Sequence, residues 1–139
     1  MKRVLLDTNV ILDFLLKREP NHVYAETVIK EIVDGNVQGY VTASMVTDIF
    51  YLLQKTNGKT FALSSVVDLL VIIDVLTVYR DDVYSAIHLE WDDFEDALQA
   101  QVAIRSGMDA IVTRNVKDFK NTKSIDIVFP HDFIQYLNE

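Results

Sequence analysis

The sequence predicts an α/β fold, a three-layer α/β/α sandwich with a central five-stranded parallel sheet. Five short apolar runs of strand length alternate with longer segments whose apolar residues have helical spacing, and this alternation is typical of a parallel sheet covered by helices. The first run, Val4-Leu5-Leu6, is apolar at every position, as strands buried on both faces are. With no repeat, low-complexity tract or linker, residues 1–139 are expected to form a single domain.

The N-terminal half is predicted to hold four helices and the second strand. Apolar residues three and four positions apart predict helices over 10–15, over 21–34, from Ser44 to a break at 56–58, and over 61–73. Gly35 follows the second helix, where a left-handed C-terminal cap is common, and the Ser44 hydroxyl is expected to cap the third. The run 39–43 is the second strand.

The C-terminal half continues the alternation. The run 76–79 is predicted as the third strand, and Asp81-Asp82 opens the helix that follows it. Asp92 or Asp93 caps the next helix, which is expected to reach about Ser106 and to stop at Gly107. The remaining elements are predicted at 110–113 and 125–129 as strands and at 130–137 as a closing helix.

Composition excludes several classes of protein. The net charge of −8 argues against a nucleic-acid coat protein, since such proteins carry a surplus of cations. The chain has no cysteine, so a metal would have to be held by oxygen atoms or histidine. No apolar run approaches the roughly 20 residues of a membrane span, and the start is charged too early for a signal peptide. We therefore expect a soluble, cytoplasmic protein with no membrane partner.

Motifs exclude the common nucleotide-binding folds but leave one phosphatase class open. The chain lacks both G-x-G-x-x-G and G-x-x-x-x-G-K-[ST]. Asp7, directly after the first strand, stands where aspartyl-phosphate enzymes carry their nucleophile, although Asn9 stands where a haloacid-dehalogenase-like phosphatase has its second Asp. A Ser or Cys triad has little support, because the chain has only three histidines and no cysteine.

Polar side chains, most of them carboxylates, lie near the predicted strand ends, where ligands bind in parallel sheets. The set comprises Asp7 after the first strand, Asp48 in the helix after the second, Asp93 and Asp96 at the start of the helix before the fourth, and Asn115 and Asp118 after the fourth. Carboxylates brought together repel one another, so such a cluster indicates a cation, and Mg²⁺ and Mn²⁺ prefer oxygen ligands. Asp93 also fits a simple helix cap, and Asp13 is interpreted as a helix-surface acid.

Basic residues are concentrated just after these acids. Between Arg105 and Lys123 five bases accompany two acids, whereas residues 81–96 include seven acids and no Lys or Arg. Three of the bases, Arg114, Lys117 and Lys120, are candidate contacts to substrate phosphates beside the carboxylate cluster. The alternative is that all three are ordinary surface charges.

Three segments, in order, resemble those of PIN-domain proteins. They are Asp7-Thr8-Asn9 after the opening strand, 93–99 (Asp-Phe-Glu-Asp-Ala-Leu-Gln) at a helix start, and 111–119 (Ile-Val-Thr-Arg-Asn-Val-Lys-Asp-Phe). The resemblance covers essentially the whole chain in length, element order and placement of acids. It implies a metal-dependent ribonuclease with a five-stranded parallel sheet, and many members of the family are toxins of VapC-type toxin–antitoxin pairs.

The resemblance implies a role for each matching residue. Asp7 and Asp96 match the family's first and third acids, and Asp48 falls near the second, which is more often Glu. Asn115 occupies the place of a fourth acid, and Asp118, three residues on, is the alternative ligand. The expected catalytic and metal-binding residues are Asp7, Asp48, Asp96 and Asp118, the supporting residues are Thr8, Asn9, Asp93, Thr113 and Asn115, and the RNA-binding residues are Arg114, Lys117 and Lys120.

The expected function is hydrolysis of RNA phosphodiester bonds with Mg²⁺ or Mn²⁺ as cofactor. The metal would activate a water for in-line attack and stabilise the developing charge. The partners that the family implies are a second copy of the chain, forming a homodimer, and a small antitoxin protein that blocks the site. Two alternatives stay open: a PIN fold that has lost catalysis and only binds RNA or protein, and a phosphohydrolase of small phosphate esters.

Overall fold

Five parallel strands form the central sheet. The computed structural model describes residues 1–119 and 122–139. Its strands are β1 (Arg3–Leu6), β2 (Gln38–Thr42), β3 (Asp74–Leu76), β4 (Ala110–Val112) and β5 (Asp126–Val128), in the spatial order β3-β2-β1-β4-β5. The chain builds outward from β1 to β3 and then returns to place β4 on the other side of β1. The predicted five-stranded parallel sheet is confirmed.

Helices cover both faces of this sheet. They are α1 (Thr8–Leu15), α2 (His22–Val33), α3 (Ala43–Asn57), α4 (Lys59–Ile72), α5 (Arg80–Leu89), α6 (Phe94–Arg105) and α7 (Phe133–Leu137). Helix α1 packs against α2 and α3, α3 packs against α4, and α5 packs against α6. The side chains at 4–6 and 110–112 are fully buried, as expected for central strands with helices on both faces. No helix in the described ranges is long and apolar enough to cross a membrane.

The predicted helix boundaries at Asp93 and Gly35 are confirmed, whereas the predicted cap of α3 is wrong. Asp93 caps α6, because its Oδ1 accepts a hydrogen bond from the Asp96 N–H at 3.1 Å, and Gly35 follows α2 with φ +80°. The cap of α3, in contrast, is Thr42 rather than Ser44. Strand β2 stays extended through Thr42 and the helix begins at the next residue, so the Thr42 hydroxyl is the one that accepts from the Met45 N–H, at 3.2 Å.

The third strand lies earlier in the chain than the sequence predicted. Its apolar pattern favoured 76–79, whereas the ladder with β2 pairs Tyr40 with Asp74 and Thr42 with Leu76. Strand β3 is at the sheet edge and is paired on one side only. Two of its three residues are exposed, so its apolar pattern is weak. Thr77 lies beyond the end of β3, and its carbonyl accepts a hydrogen bond from Arg105 Nη2 at 2.7 Å instead of joining the ladder.

Candidate active site

Asp7 lies at the point of the sheet where the strand order reverses. Strands β1 and β4 are neighbours, and the chain builds away from them on either side, which places a crevice beyond their carboxyl ends. The register pairs Leu6 with Val112, so the next residues, Asp7 and Thr113, lie side by side. The Asp7 N–H donates to the Val112 carbonyl at 2.9 Å and continues the ladder into the crevice.

The Asp7 carboxylate is held in place by three donors. Its side chain is buried, and Oδ2 accepts a hydrogen bond from Thr113 Oγ1 at 2.7 Å. Oδ1 accepts from the Thr8 N–H at 2.7 Å and from Gln99 Nε2 at 3.2 Å. An ionised carboxylate offers about four acceptor positions, so three bonds fix its orientation and leave capacity for one further ligand. Thr113, which the resemblance implied as a supporting residue, thus donates to Asp7, and its Oγ1 accepts a hydrogen bond from the Asn115 N–H at 3.0 Å.

Most of the predicted site residues meet in one cavity, which we call the acidic cavity. It has a volume of about 390 Å³. Asp7 lies at the end of β1, Asp48 on α3, Asp96 at the start of α6, and Asp118 in a 3₁₀ turn after β4. The full lining is Asp7, Thr8, Asn9, Asp48, Tyr51, Leu52, Asp93, Glu95, Asp96, Gln99, Asn115 and Asp118. Within the described part of the chain, six carboxylates thus share a cavity that no Lys, Arg or His lines.

The carboxylates lie close enough to affect one another's ionisation. Burial and the charges of Asp93, Asp7, Asp118 and Glu95 raise the pKa of Asp96 to about 7. The pKa of Glu95 is also raised, first by burial and then by the charges of Asp48, Asp93 and Asp7. Asp48, which lies on a different helix from the other acids, therefore belongs to the same cluster. Each added negative charge in this cavity disfavours the next.

The cavity fits a hard divalent cation by the chemistry of its donors. They are carboxylate and amide oxygens, which Mg²⁺ and Mn²⁺ prefer, and their repulsion is relieved by positive charge. The Oε1 atom of Gln99 is buried and has no hydrogen-bond partner among the described residues. In the described ranges, no group of three or more acidic or histidine side chains is arranged to enclose an ion. The described carboxylates therefore line one cavity without forming a closed set of ligands.

Arg114, a predicted RNA-binding residue, is attached to a buried acid. Asp13, which the sequence indicated as a helix-surface residue, is 1% exposed. Its Oδ1 accepts a hydrogen bond from Arg18 Nε at 2.8 Å. Arg114 Nε lies 2.7 Å from Asp13 Oδ2 as an ion pair, without the alignment of a hydrogen bond. The interpretation of Asp13 is therefore wrong, because α1 is short and is buried on most of its circumference.

The other two predicted RNA-binding residues are Lys117 and Lys120. Lys117 is exposed and lines a neighbouring pocket together with Asp93, Asp96 and Asp118. Lys120 lies outside the described residues. Their role as phosphate contacts remains a prediction.

Sequence reasoning missed Gln99 and Glu95 as members of the site. Gln99 follows Asp96 by three residues, so the two side chains share one face of α6. That spacing was the available signal, but an amide on a helix has no distinctive pattern by itself. Glu95 fitted the acid-rich first turn of a helix, which gave its charge an ordinary explanation.

Comparisons with known proteins agree with this architecture. Ribonuclease VapC1 of Aquifex aeolicus (strain VF5) is 27% identical over 142 residues, which cover 99% of this chain and 96% of that protein. The structure of VapBC2 from Rickettsia felis, bound to a DNA fragment from the promoter, matches with a TM-score of 0.71. The sequences are 16% identical, and the match covers 91% of this chain and 98% of that chain. VapC20 of Mycobacterium tuberculosis, a Sarcin-Ricin loop cleaving toxin, matches with a TM-score of 0.64 and 16% identity over 78% and 86%.

The structural matches show the shared fold, and the family follows from the sequence. A family model described as the PIN domain matches residues 3–117, which include the whole of the sheet except β5 and every described residue of the acidic cavity except Asp118. The chain therefore belongs to the PIN domain family.

Proposed function

We propose that this protein is an endoribonuclease that hydrolyses RNA phosphodiester bonds with Mg²⁺ or Mn²⁺, and that it is the toxin of a toxin–antitoxin pair. The observation that carries the proposal is the acidic cavity, in which a buried and firmly oriented Asp7 faces further carboxylates. The names of two similar proteins, a ribonuclease and a Sarcin-Ricin loop cleaving toxin, support RNA as the substrate. Cellular RNA as substrate also agrees with the cytoplasmic location expected from the sequence.

Asp7, Asp48, Asp96 and Asp118 are the residues that would hold the cation. When bound, a divalent cation polarises a phosphodiester oxygen and lowers the pKa of a water. Thr113, Thr8 and Gln99 keep the Asp7 carboxylate in one orientation, so it does not have to be ordered at the moment of reaction. Asp93 holds the first turn of α6 and thereby positions Asp96.

The amide groups of the cavity have a separate role. Gln99 Oε1 is a buried acceptor without a partner in the part of the chain that the structure describes, and Asn115 lines the cavity beside the strand end. Both can orient a water near the carboxylates through hydrogen bonds. Because orienting groups around a metal site commonly affect activity tenfold or more, these amides are part of the proposed machinery.

The direct test is cleavage of mixed RNA by the purified chain. We expect cleavage with Mn²⁺ or Mg²⁺ and its complete loss with EDTA, because no described Lys, Arg or His lines the acidic cavity and could take the place of the cation. The products are resolved on a denaturing gel. Binding without cleavage at any metal concentration would favour the binding-module alternative, whereas turnover of a simple phosphomonoester would favour a small-molecule phosphohydrolase.

A second prediction concerns the fourth acid position of the family, which is occupied in this chain by the neutral Asn115. Both Asn115 and Asp118 line the acidic cavity, but only Asp118 is charged, and its charge contributes to the raised pKa of Asp96. A hard cation is held mainly by charged oxygens, so Asp118→Asn should cost about tenfold in activity, more than Asn115→Ala. Asn115→Asp should keep or increase activity.

The comparison is made across a Mn²⁺ titration, since a lost ligand first raises the metal concentration required for activity. If Asn115→Ala costs more than Asp118→Asn, the amide and not the carboxylate fills the fourth position. Two silent variants would leave the cation on Asp7, Asp48 and Asp96.

Two protein partners complete the proposal. A small antitoxin is supported by the VapBC complexes among the similar structures. A homodimer is supported by α4, whose exposed residues Leu63, Val67 and Val71 recur every four positions as an uncharged stripe. The same stripe on two copies is self-complementary across a twofold axis, the geometry of most homodimers.

A further inference from the structure

A second cavity adjoins the acidic cavity on the side of β5. It has a volume of about 250 Å³, below the roughly 300–1,000 Å³ of pockets for drug-sized ligands. Asn115 lines both cavities and so forms the boundary between them. We call the second cavity the aromatic pocket; it is lined by Asn21, Tyr24, Arg114, Asn115, Phe129, Pro130 and His131.

Aromatic rings dominate this pocket although they lie outside the core. Phe129 and His131 stack with their ring centroids 4.8 Å apart and their planes at 14°, and Tyr24 meets His131 edge-on at 6.0 Å. Phe129 and Tyr24 nevertheless remain 36% and 44% exposed. Ring surface that is ordered yet open to solvent is the surface on which nucleic-acid bases stack.

A fixed cation lies at the same pocket. Arg114 is anchored to the buried Asp13, so its guanidinium is oriented before any ligand arrives. Its side chain is still one-third exposed. A planar, pre-oriented guanidinium suits both stacking on a base and contact with a phosphate. Asn21 and Asn115 add amide groups that both donate and accept hydrogen bonds, as the edges of bases do.

Charge distinguishes the aromatic pocket from another pocket that adjoins the acidic cavity. That other pocket is lined by Glu90, Asp92, Asp93, Asp96 and Asp118, with Lys117 as its single base among the described residues. An RNA backbone is repelled there, whereas the aromatic pocket has Arg114 and no carboxylate in its described lining. A strand that places a phosphate at the acidic cavity can therefore extend across Asn115 to the aromatic pocket with less repulsion.

We propose that the aromatic pocket binds one nucleobase of the RNA, next to the phosphodiester that is cleaved. The base stacks on the exposed face of the Phe129–His131 pair and against Tyr24, while Arg114 contacts the adjoining phosphate. This inference rests on the proposed RNase function and adds to it the residues that select and position the substrate. Tyr24, Phe129 and His131 are positioning residues, because the reacting phosphate lies in the other cavity.

The test measures binding of a fluorescein-labelled single-stranded RNA decamer by anisotropy, in EDTA so that no cleavage occurs. Phe129→Leu and Tyr24→Ala should each weaken binding about tenfold, toward the low end of the range for the loss of one base–aromatic stack. Phe129→Trp should retain binding, because it keeps a ring at the same place. Tyr84→Ala is the matched control, since Tyr84 is an equally exposed helix tyrosine that contributes to none of the three pockets.

A set of decamers with one abasic position each then locates the stacked base. An abasic position that weakens binding to the wild-type chain should have little effect on Phe129→Leu, because the lost contact is the same one. In Mn²⁺, Phe129→Leu should raise KM with kcat within about twofold, as expected for loss of uniform binding. Thermal denaturation confirms that each variant is folded.

The outcomes separate the two proposals. Wild-type binding that is unchanged in Phe129→Leu and Tyr24→Ala, or equal abasic costs in wild type and Phe129→Leu, would overturn the nucleobase pocket and leave the RNase proposal standing. Weakened binding in both variants without any Mn²⁺-dependent cleavage would keep the pocket as an RNA site and overturn the RNase proposal. A wild-type chain that binds the decamer neither in EDTA nor in Mn²⁺ overturns the pocket.

Discussion

Asp7→Asn should lower metal-dependent RNA cleavage by roughly a hundredfold or more. Asp7 is the carboxylate that the structure orients most firmly, through Thr113, Thr8 and Gln99. An amide at this place keeps an oxygen but loses the charge, and charge is what a hard cation requires of its ligands. Asp96→Asn should have a comparable effect, since Asp96 faces the same cavity from α6. Initial rates across a Mn²⁺ titration measure both losses.

The surroundings of Asp7 suggest that Asp7→Asn will fold. Its Oδ1 can still accept from the Thr8 N–H and Gln99 Nε2. The new amide nitrogen would then face Thr113 Oγ1, and a hydroxyl can accept a hydrogen bond as readily as it donates one. The Thr113 O–H then loses its carboxylate acceptor, and one unpaired buried donor costs about 1–3 kcal/mol. Removing one negative charge from the acidic cavity offsets part of this cost, so the variant should remain folded with a moderate loss of stability.

Asp68→Asn is the matched control for the rate measurement. It makes the same chemical change on an exposed face of α4, away from the acidic cavity, and should leave the rate unchanged. Cleavage by Asp7→Asn at the wild-type rate, from a preparation free of contaminating nuclease, would remove Asp7 from the mechanism. Equal losses in Asp68→Asn and Asp7→Asn would show that overall charge, not the site, governs activity.

The fold was largely predictable because its signals are local. Val4-Leu5-Leu6 is apolar on both faces of a strand, and Asp93 and Gly35 mark helix ends by their own chemistry. The carboxylates of the site were found for a related reason. Parallel strands bring their carboxyl ends to one edge, so acids after different strands are expected to meet there. Strand β3 was misplaced because an edge strand is paired on one side only and shows a weaker apolar pattern.

The parts of the site that sequence could not supply depend on contacts between distant residues. The hydrogen bond from Gln99 to Asp7 joins residues 92 positions apart, and no local pattern distinguishes that amide from any other on a helix. The aromatic pocket likewise combines Tyr24 from α2 with Phe129 after β5. The sequence predicted an exposed Asp13 because the local pattern of α1 does not show its partner Arg114, which lies 101 residues later in the chain.

Asp13→Asn should produce the largest loss of stability among single charge-removing changes in the described residues. Asp13 is almost fully buried, and its carboxylate balances two guanidinium groups, Arg18 and Arg114. Removing one partner of a buried ion pair costs about 3–5 kcal/mol, and the low end applies here because both arginines are about one-third exposed and can be rehydrated. We expect a loss of about 3 kcal/mol in the free energy of unfolding, measured by urea denaturation, and a fall in Tm of about 10 °C.

Asp34→Asn is the matched control, because Asp34 also forms an ion pair at 2.7 Å, with Lys30, but on the exposed surface of α2. Solvent screens that pair, so its loss should cost less than about 0.5 kcal/mol, and less still in high salt. The effect of Asp13→Asn should persist in high salt. If the two variants lose the same free energy of unfolding, burial does not make the Asp13 ion pairs more important for stability than a surface pair. Asp13→Asn should also weaken decamer binding, since Arg114 would no longer be held at the aromatic pocket, whereas Asp34→Asn should leave binding unchanged.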